Sequence, residues 1–91
     1  MKKPKTNLLD LTVQRREGIV YEGEVKALSS VNPEGKFDIL AKHANFISLV
    51  DTVLVIHEEG GEKKEIPIDN GILRVSKNKI DVYLGIRKLS S

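Results

Sequence analysis

The stretch NFISLVDTVLVIHEEGGEKKEIPID, residues 45–69, carries the pattern that decides the fold. Its first part alternates between two faces, and this alternation places Ile47 and Leu49 on the same face of a strand. The run 53–57 has β-branched and apolar residues on both faces, which predicts a central strand. The glycine pair among the following charged residues predicts a hairpin turn, and Pro67 predicts an edge position or a bulge.

The same period of two continues on both sides of this stretch, and helical periodicity is nearly absent. Leu9, Leu11 and Val13 share one face of a first strand. Gly23 interrupts the next strand and predicts a bulge or a bend between two sheets. The dipeptide at 70–71, Asn-Gly, is typical of turns. Together these segments predict about eight to ten short strands in an antiparallel sandwich or flattened barrel.

Composition limits the classes of function. The chain has 91 residues, of which 40% are hydrophobic and 31% charged, so we expect one soluble globular domain. A net charge of +2 gives no strong electrostatic case for nucleic acid or membrane partners. The absence of cysteine excludes disulfides and thiolate metal sites, and it fits a reducing, cytoplasmic setting. No apolar run is long enough to span a bilayer, so direct membrane insertion is not expected.

A search for catalytic patterns finds none. Ser29, Ser30 and Ser48 lack a nearby pattern of histidine and carboxylate, and a phosphate-binding glycine loop is missing. His43 and His57 do not have the spacing of a metal site, and we interpret His57 as the end of a strand at the solvent edge. We therefore expect no enzyme activity, no metal and no cofactor.

Basic residues suggest a different class of function, a binding domain for anionic polymers. Its residues would be Lys2, Lys3 and Lys5 near the N-terminus and Arg15 and Arg16 in a turn. A nucleic-acid platform uses aromatic side chains to stack bases. With two Tyr and two Phe in the chain, nucleic-acid binding is not favoured. The residues alone therefore point to a small β-domain that acts by surface contact.

Three blocks of sequence resemble the epsilon subunit of F-type ATP synthases. EGKFDILAKHANFISLV, residues 34–50, resembles the family's segment EGEFGILPGHAPLIT-L. LLDLTVQRREGIVYEGEV, residues 8–25, is similar to the family's opening, and DNGILRVSKNKIDVYLG, residues 69–85, is similar to SGGFLEV…NKVTVLA. The blocks keep the family's order and spacing. The chain is thus identified as a member of the family's N-terminal domain.

The resemblance implies a flattened antiparallel β-sandwich of about ten short strands, with the sandwich over residues 8–87 and a flexible segment at 1–7. It also implies a non-catalytic rotor subunit of the central stalk, which links the gamma subunit to the c-ring and helps couple proton or sodium flow to ATP synthesis. Such a subunit is a peripheral part of the complex on the cytoplasmic side of the bacterial inner membrane. In isolation, a gamma-binding face could pair two copies of the chain.

The resemblance assigns seven residues to contact surfaces. Those in the loops facing the c-ring are Lys36, Asp38, Lys42 and His43, and those facing gamma are Ala44, Ser48 and Arg74. A simpler role for His43 is that of a corner residue that hydrogen-bonds its own loop. The charges at several of these positions differ from the family pattern, with Lys36 and Arg74 in place of Glu and Asp38 in place of Gly. These differences motivate an alternative function, a stand-alone β-sandwich adaptor with changed partners.

Gamma docking on so small a domain requires an exposed apolar patch, because a typical interface buries about 800 Å² on each partner. Leu8, Val20, Leu28 and Ile72 are the candidates for this patch, since each lies on the minority face of its strand. The usual family member continues into two C-terminal helices, whereas this chain ends at RKLSS. If that end is natural, the chain resembles the short form of the subunit, and inhibition by helix extension would be impossible.

Overall fold

The computed structural model describes residues 8–85. The strands are β1 Leu9–Arg15, β2 Gly18–Asn32, β3 Gly35–Leu40, β4 Phe46–Glu58, β5 Lys63–Ser76 and β6 Lys79–Leu84. No helix occurs among the described residues, which confirms the prediction of an all-β fold. Over the same range, no helix has the length and apolar character needed to cross a membrane. The domain limits at 1–7 and 86–87 lie outside the described residues.

The strands form one sheet in the order β1-β6-β5-β4-β2-β3, and an additional pairing of β1 with β2 closes it into a barrel-like ring. β3 lies outside the ring and pairs with β2. The β1–β6 pair is parallel and the other pairs are antiparallel, so the prediction of a purely antiparallel fold is wrong at this pair. The reason is geometric, because strand direction cannot alternate all the way round a ring with an odd number of strands.

Residues 8–85 form six strands where the sequence predicted about ten, because the long strands continue through positions where breaks were predicted. The predicted strands on either side of Asp51 and Thr52 are both parts of β4, which stays paired with β5 along its length. The register shifts at this point, where Asp51 opposes Asn70 and Thr52 opposes Ile68, so Asp69 is the extra residue. Thr52 has a φ of 74°, a left-handed conformation that is strained for a β-branched residue.

Two glycines behave differently from the sequence prediction. The 70–71 dipeptide is not a turn but lies inside β5, where Gly71 is buried opposite Leu84. A Cβ at Gly71 would be 2.7 Å from the carbonyl oxygen of Tyr83, so the glycine permits a close approach of β6. Gly23 pairs regularly with Leu11, and the irregularities of β2 lie elsewhere, one of them between residues 25 and 27. The prediction of a bulge at Gly23 is therefore wrong.

Other predictions about the long strands are confirmed. Residues 53–57 are central, with β5 on one side of β4 and β2 on the other. Pro67 lies in the part of β5 that pairs with β4 alone within residues 8–85, next to the bulge at Asp69. An edge position suits proline because it has no N–H to donate to a second neighbour. The glycine pair forms the β4–β5 turn, in which the Gly61 N–H donates to the carbonyl of Glu58 at 3.0 Å.

Alternating side chains from the strands fill the interior of the ring with one apolar core. Its members are Leu9, Leu11, Val13, Val25, Leu28, Ile39, Val50, Leu54, Ile56, Ile68, Leu73, Val75, Ile80, Val82 and Leu84. Leu9, Leu11 and Val13 share the inner face as predicted. Leu28 is fully buried in this core, so its prediction as part of an exposed patch is wrong. Leu28 lies in register between Ile39 on β3 and Ile56 on β4, and side chains directly opposite each other share a face, so all three face the core.

A hydrogen bond joins the first half of β2 to the end of β4. The Tyr21 hydroxyl donates to Glu58 Oε2 at 3.0 Å, while its ring packs against the core. Burial raises the pKa of Tyr21 above its usual value, and the hydrogen bond and negative charge of Glu58 raise that pKa further. This contact therefore stabilises the fold as long as the tyrosine is protonated.

Candidate functional site

The loop between β3 and β4, which we call the corner loop (residues 41–45), is held by its own backbone and by the β5–β6 turn. Lys42 adopts a left-handed φ of 69°, and its N–H donates to Asn78 Oδ1 at 2.6 Å. The His43 N–H donates to the carbonyl of Leu40 at 3.2 Å. Lys42 and Ala44 are exposed, and His43 is half-buried. The corner loop is thus a fixed, mostly polar projection at one end of the ring.

The His43 side chain is also engaged within this loop. Its Nδ1 lies 2.9 Å from the carbonyl oxygen of Ala44, and because a carbonyl only accepts, Nδ1 carries the proton and donates. The ring meets Phe46 edge-on at 5.6 Å between centroids, and Phe46 in turn packs against Phe37 at 5.7 Å. These contacts fit the simpler role considered for His43, a corner residue that bonds its own loop.

The residues assigned to the c-ring do not form one group. Lys36 and Asp38 lie exposed on β3, whereas Lys42 and His43 follow the end of that strand. From Lys36 to Leu40, the rise of an extended strand gives a separation of about 13 Å. A contact at Lys36 and a contact at the corner loop can therefore be tested separately.

Three polar side chains meet on the outer face of β3, β2 and β4. Ser29 Oγ lies 2.5 Å from Asp38 Oδ1 and 2.9 Å from His57 Nε2. No pattern in the sequence indicates this contact, because strand pairing brings together residues that are far apart in the chain. Ser29 donates its one proton to Asp38, so His57 Nε2 is the donor to Ser29. In this arrangement the histidine does not act as a base toward the serine, and Asp38 does not orient the histidine.

The residues assigned to gamma also separate. Ser48 lies on the same face of β4 as Phe46 and Val50, where its Oγ donates to the carbonyl of Leu49 at 2.9 Å and accepts from Asn32 Nδ2 at 3.1 Å. Arg74 is exposed on the opposite, outer face of the sheet, where its strand neighbours are Ile47 and Asp81. Ser48 and Arg74 therefore cannot contact one flat partner surface together.

Apolar side chains from β4, β5, β6 and β2 form a row across the outer face of the sheet, and the row crosses β1 at Gln14. Leu49 pairs with Ile72, Ile72 with Tyr83, Tyr83 with Gln14, and Gln14 with Ile19. Ile47 is on the same face of β4 as Leu49. We call the surface formed by Ile19, Ile47, Leu49, Ile72 and Tyr83 the outer apolar face.

This face holds four of the six large hydrophobic side chains that are exposed among the described residues. Ile47 is 70% exposed and Leu49 is 60% exposed, and Ile19 and Tyr83 are 58% and 40% exposed. Two of the four residues proposed for a patch lie at or near this face, with Ile72 within it and Val20 next to Ile19. The sequence correctly placed Ile47 and Leu49 together but gave no sign that their side was the exposed one.

A shallow groove borders the outer apolar face at the end next to the corner loop. It has a volume of about 390 Å³ and is lined by Asn45, Phe46, Ile47, Arg74, Val75 and Ser76. Within residues 8–85 the Arg74 side chain has neither a hydrogen bond nor an ion pair. Its neighbour Asp81 is instead paired with Lys79, at 3.9 Å.

Other candidate groups give no assembled site. In the part of the chain that the structure describes, no three His, Cys, Asp or Glu side chains come together in a way that could hold a metal ion. Arg15 and Arg16 are exposed at the β1–β2 turn. Lys2, Lys3 and Lys5, the other members of the basic group, lie outside the described residues.

The comparisons with known proteins agree on one family. A model of the ATP synthase delta/epsilon chain β-sandwich domain matches residues 8–84. The ATP synthase epsilon chain of Helicobacter pylori (strain HPAG1) is 37% identical over 75 residues, covering 82% of this chain and 61% of the relative. That of Sulfurovum sp. (strain NBC37-1) is 33% identical over 73 residues, covering 79% and 57%. This chain thus spans about 57–61% of the length of these relatives.

Solved structures show the same fold. A chain of the Euglena gracilis mitochondrial ATP synthase, in a structure of OSCP, F1 and c-ring, matches with a TM-score of 0.80 at 21% identity. That match covers 92% of this chain and 59% of the other. A chain in the central stalk and c-ring of the Tetrahymena thermophila mitochondrial ATP synthase matches with a TM-score of 0.68 at 15% identity, covering 92% and 66%. With a family model matched over nearly all the described residues, the chain belongs to the family of ATP synthase delta/epsilon chain β-sandwich domains.

Proposed function

We propose that this chain is a non-catalytic epsilon-type subunit of the central stalk, which docks on the gamma subunit and links it to the c-ring of an ATP synthase. The observation that carries the proposal is the outer apolar face on a domain of this family. Exposed apolar side chains that lie side by side on a sheet are typical of surfaces that a partner covers. The function is mechanical, since a rigid ring of strands held against gamma transmits torque with little slippage.

The proposal places the chain in a peripheral part of the complex, on the cytoplasmic side of the bacterial inner membrane. The bacterial epsilon chains among its relatives support this location. Gamma would lie on the outer apolar face, which includes Leu49, and would also contact Arg74 at its border. The c-ring would meet the exposed side chains of β3 or the corner loop, among them Lys36, Asp38, Lys42 and His43.

Size-exclusion chromatography with light scattering tests gamma docking. We expect the chain and the gamma subunit of the same organism to elute as a one-to-one complex at micromolar concentrations. Leu49→Arg should abolish the complex, because it places a charge within the outer apolar face. Glu65→Arg is the matched control, since Glu65 is exposed on a part of β5 remote from this face. Two separate peaks for the unmodified pair would favour the adaptor alternative, which the changed charges at Lys36, Asp38 and Arg74 motivate.

Crosslinking tests the contact with the c-ring. The chain has no cysteine, so a single cysteine at position 36 or 42 is the only thiol in the protein. We expect crosslinks from at least one of Lys36→Cys and Lys42→Cys to the ring in the assembled complex. Lys64→Cys on β5 is the control. Because Lys36 and Lys42 lie at different ends of β3, crosslinking at one alone would identify which surface the ring touches, and crosslinking at neither would contradict the ring contact.

A further inference from the structure

We infer that Arg74 and the groove beside it receive an Asp or Glu side chain of the docked partner, and that this pair fixes the orientation of the partner on the outer apolar face. The inference rests on the proposed function, in which that partner is the gamma subunit. It adds the chemistry that gamma must present, a carboxylate at the border of an apolar patch.

The position of Arg74 is the first argument. Arg74 lies at the border of the outer apolar face, two residues from Ile72 on β5 and directly opposite Ile47 on β4. A partner that covers Ile47 and Leu49 would therefore also cover the guanidinium and remove it from water. Covering a charged group without a counter-charge is costly, so a stable complex requires an acceptor at this point.

Within residues 8–85, the neighbours of Arg74 do not supply that acceptor. The nearest carboxylate in the strand register is Asp81, directly opposite on β6, and it is paired with Lys79 at 3.9 Å. The next residue along this row is Thr12, which carries no charge. Among the described residues, no carboxylate lies within ion-pair distance of the Arg74 guanidinium.

The groove provides the space for the incoming side chain. Its volume of about 390 Å³ exceeds that of one carboxylate side chain, and Arg74 lines it together with Phe46, Ile47 and Val75. A guanidinium presents a planar fork of N–H donors that matches the two oxygens of a carboxylate, so binding there is directional. Apolar contacts are not directional, so an apolar face alone allows the partner to shift along it. One bidentate pair at the border of the face restricts the partner to a single orientation.

The test is the affinity of the full chain for the gamma subunit, measured by calorimetry at low and at moderate ionic strength. We expect Arg74→Glu to weaken binding by about tenfold or more, because it places like charges against each other. Lys64→Glu is the matched control, since it makes the same change of charge at an exposed position in the other half of β5, and it should change the affinity by less than about twofold. Replacing single exposed Asp or Glu residues of gamma with Arg should identify one position that restores the affinity of Arg74→Glu.

The outcomes separate this inference from the proposed function. If gamma binds, Leu49→Arg abolishes binding, and Arg74→Glu binds as tightly as Lys64→Glu, then gamma docking stands and the role of Arg74 is overturned. If the unmodified chain does not bind gamma at all, both are overturned. A dimer of the chain that Leu49→Arg dissociates and that gamma does not displace would assign the face to a second copy, and this would also overturn the inference.

Discussion

Replacing Gly71 with alanine tests how closely β6 approaches β5. The added Cβ would lie 2.7 Å from the carbonyl oxygen of Tyr83 and 3.0 Å from Leu84 Cδ2. The first contact is with backbone, so β6 must shift as a whole to relieve it. Overpacking of this kind lowers the free energy of unfolding by about 1–3 kcal/mol. Alanine offsets about 0.5–1 kcal/mol of this loss, because the unfolded chain has less conformational entropy with alanine than with glycine. We therefore expect a net loss of about 1–2 kcal/mol in the free energy of unfolding.

Urea denaturation followed by circular dichroism measures this loss, and the slope of the transition should not change. At about 4–8 °C per kcal/mol, the melting temperature should fall by about 5–15 °C. Gly23→Ala is the matched control, because its Cβ would meet only the Tyr21 side chain, at 3.8 Å, which is ordinary contact. That variant should be neutral or slightly more stable. Equal stability of the two variants, within about 0.5 kcal/mol, would refute the argument from close approach.

Three further predictions concern single side chains. Thr52→Gly should raise the free energy of unfolding by roughly 0.5–1 kcal/mol, measured in urea, because it releases a left-handed conformation with φ of 74°; a loss of stability would contradict the strain. Tyr21→Phe should lower stability by about 1 kcal/mol at neutral pH. The pKa of Tyr21 is raised in the folded state, so the stability it adds is complete below its unfolded pKa of 10.0 and is lost as pH rises through the folded pKa. Urea titrations above the folded pKa should therefore show a smaller difference in the free energy of unfolding between Tyr21→Phe and the unmodified chain. Leu49→Arg should change stability by no more than about 0.5 kcal/mol, since Leu49 is exposed and its proposed role is in docking; a larger loss would make its effect on gamma binding uninformative.

The sequence alone correctly predicted which residues share the buried face of the short strand β1. Leu9, Leu11 and Val13 alternate with polar residues, and all are buried. It was insufficient at the start of β4, where Ile47 and Leu49 alternate with Phe46, Ser48 and Val50. Both sets contain large apolar residues, so the period of two defines two faces without showing which one is buried. The close approach of β6, and not the local preference of Asn-Gly for a turn, determines the conformation at Gly71.

The candidate site was harder to predict from the sequence than the fold was. The resemblance to the epsilon family correctly identified the family, but the contact of Ser29 with Asp38 and His57 depends on the pairing of three strands. Ser48 and Arg74 point to opposite faces because Arg74 on β5 lies opposite Ile47 on β4, the neighbour of Ser48, and successive residues of a strand alternate between faces. Both are properties of register, and register is set by the whole sheet and not by a local run of residues.

The parallel pairing of β1 with β6 has a consequence for how the chain folds. Asp10 lies beside Lys79, so the first strand obtains one of its two neighbours from the last strand. Closing such a long loop is entropically costly before the contact forms, and folds dominated by distant pairings reach the native state slowly. On the ribosome, one edge of β1 stays uncovered until β6 has emerged. We therefore expect the ring to close late and as a unit, with β6 inserting between strands that have already formed.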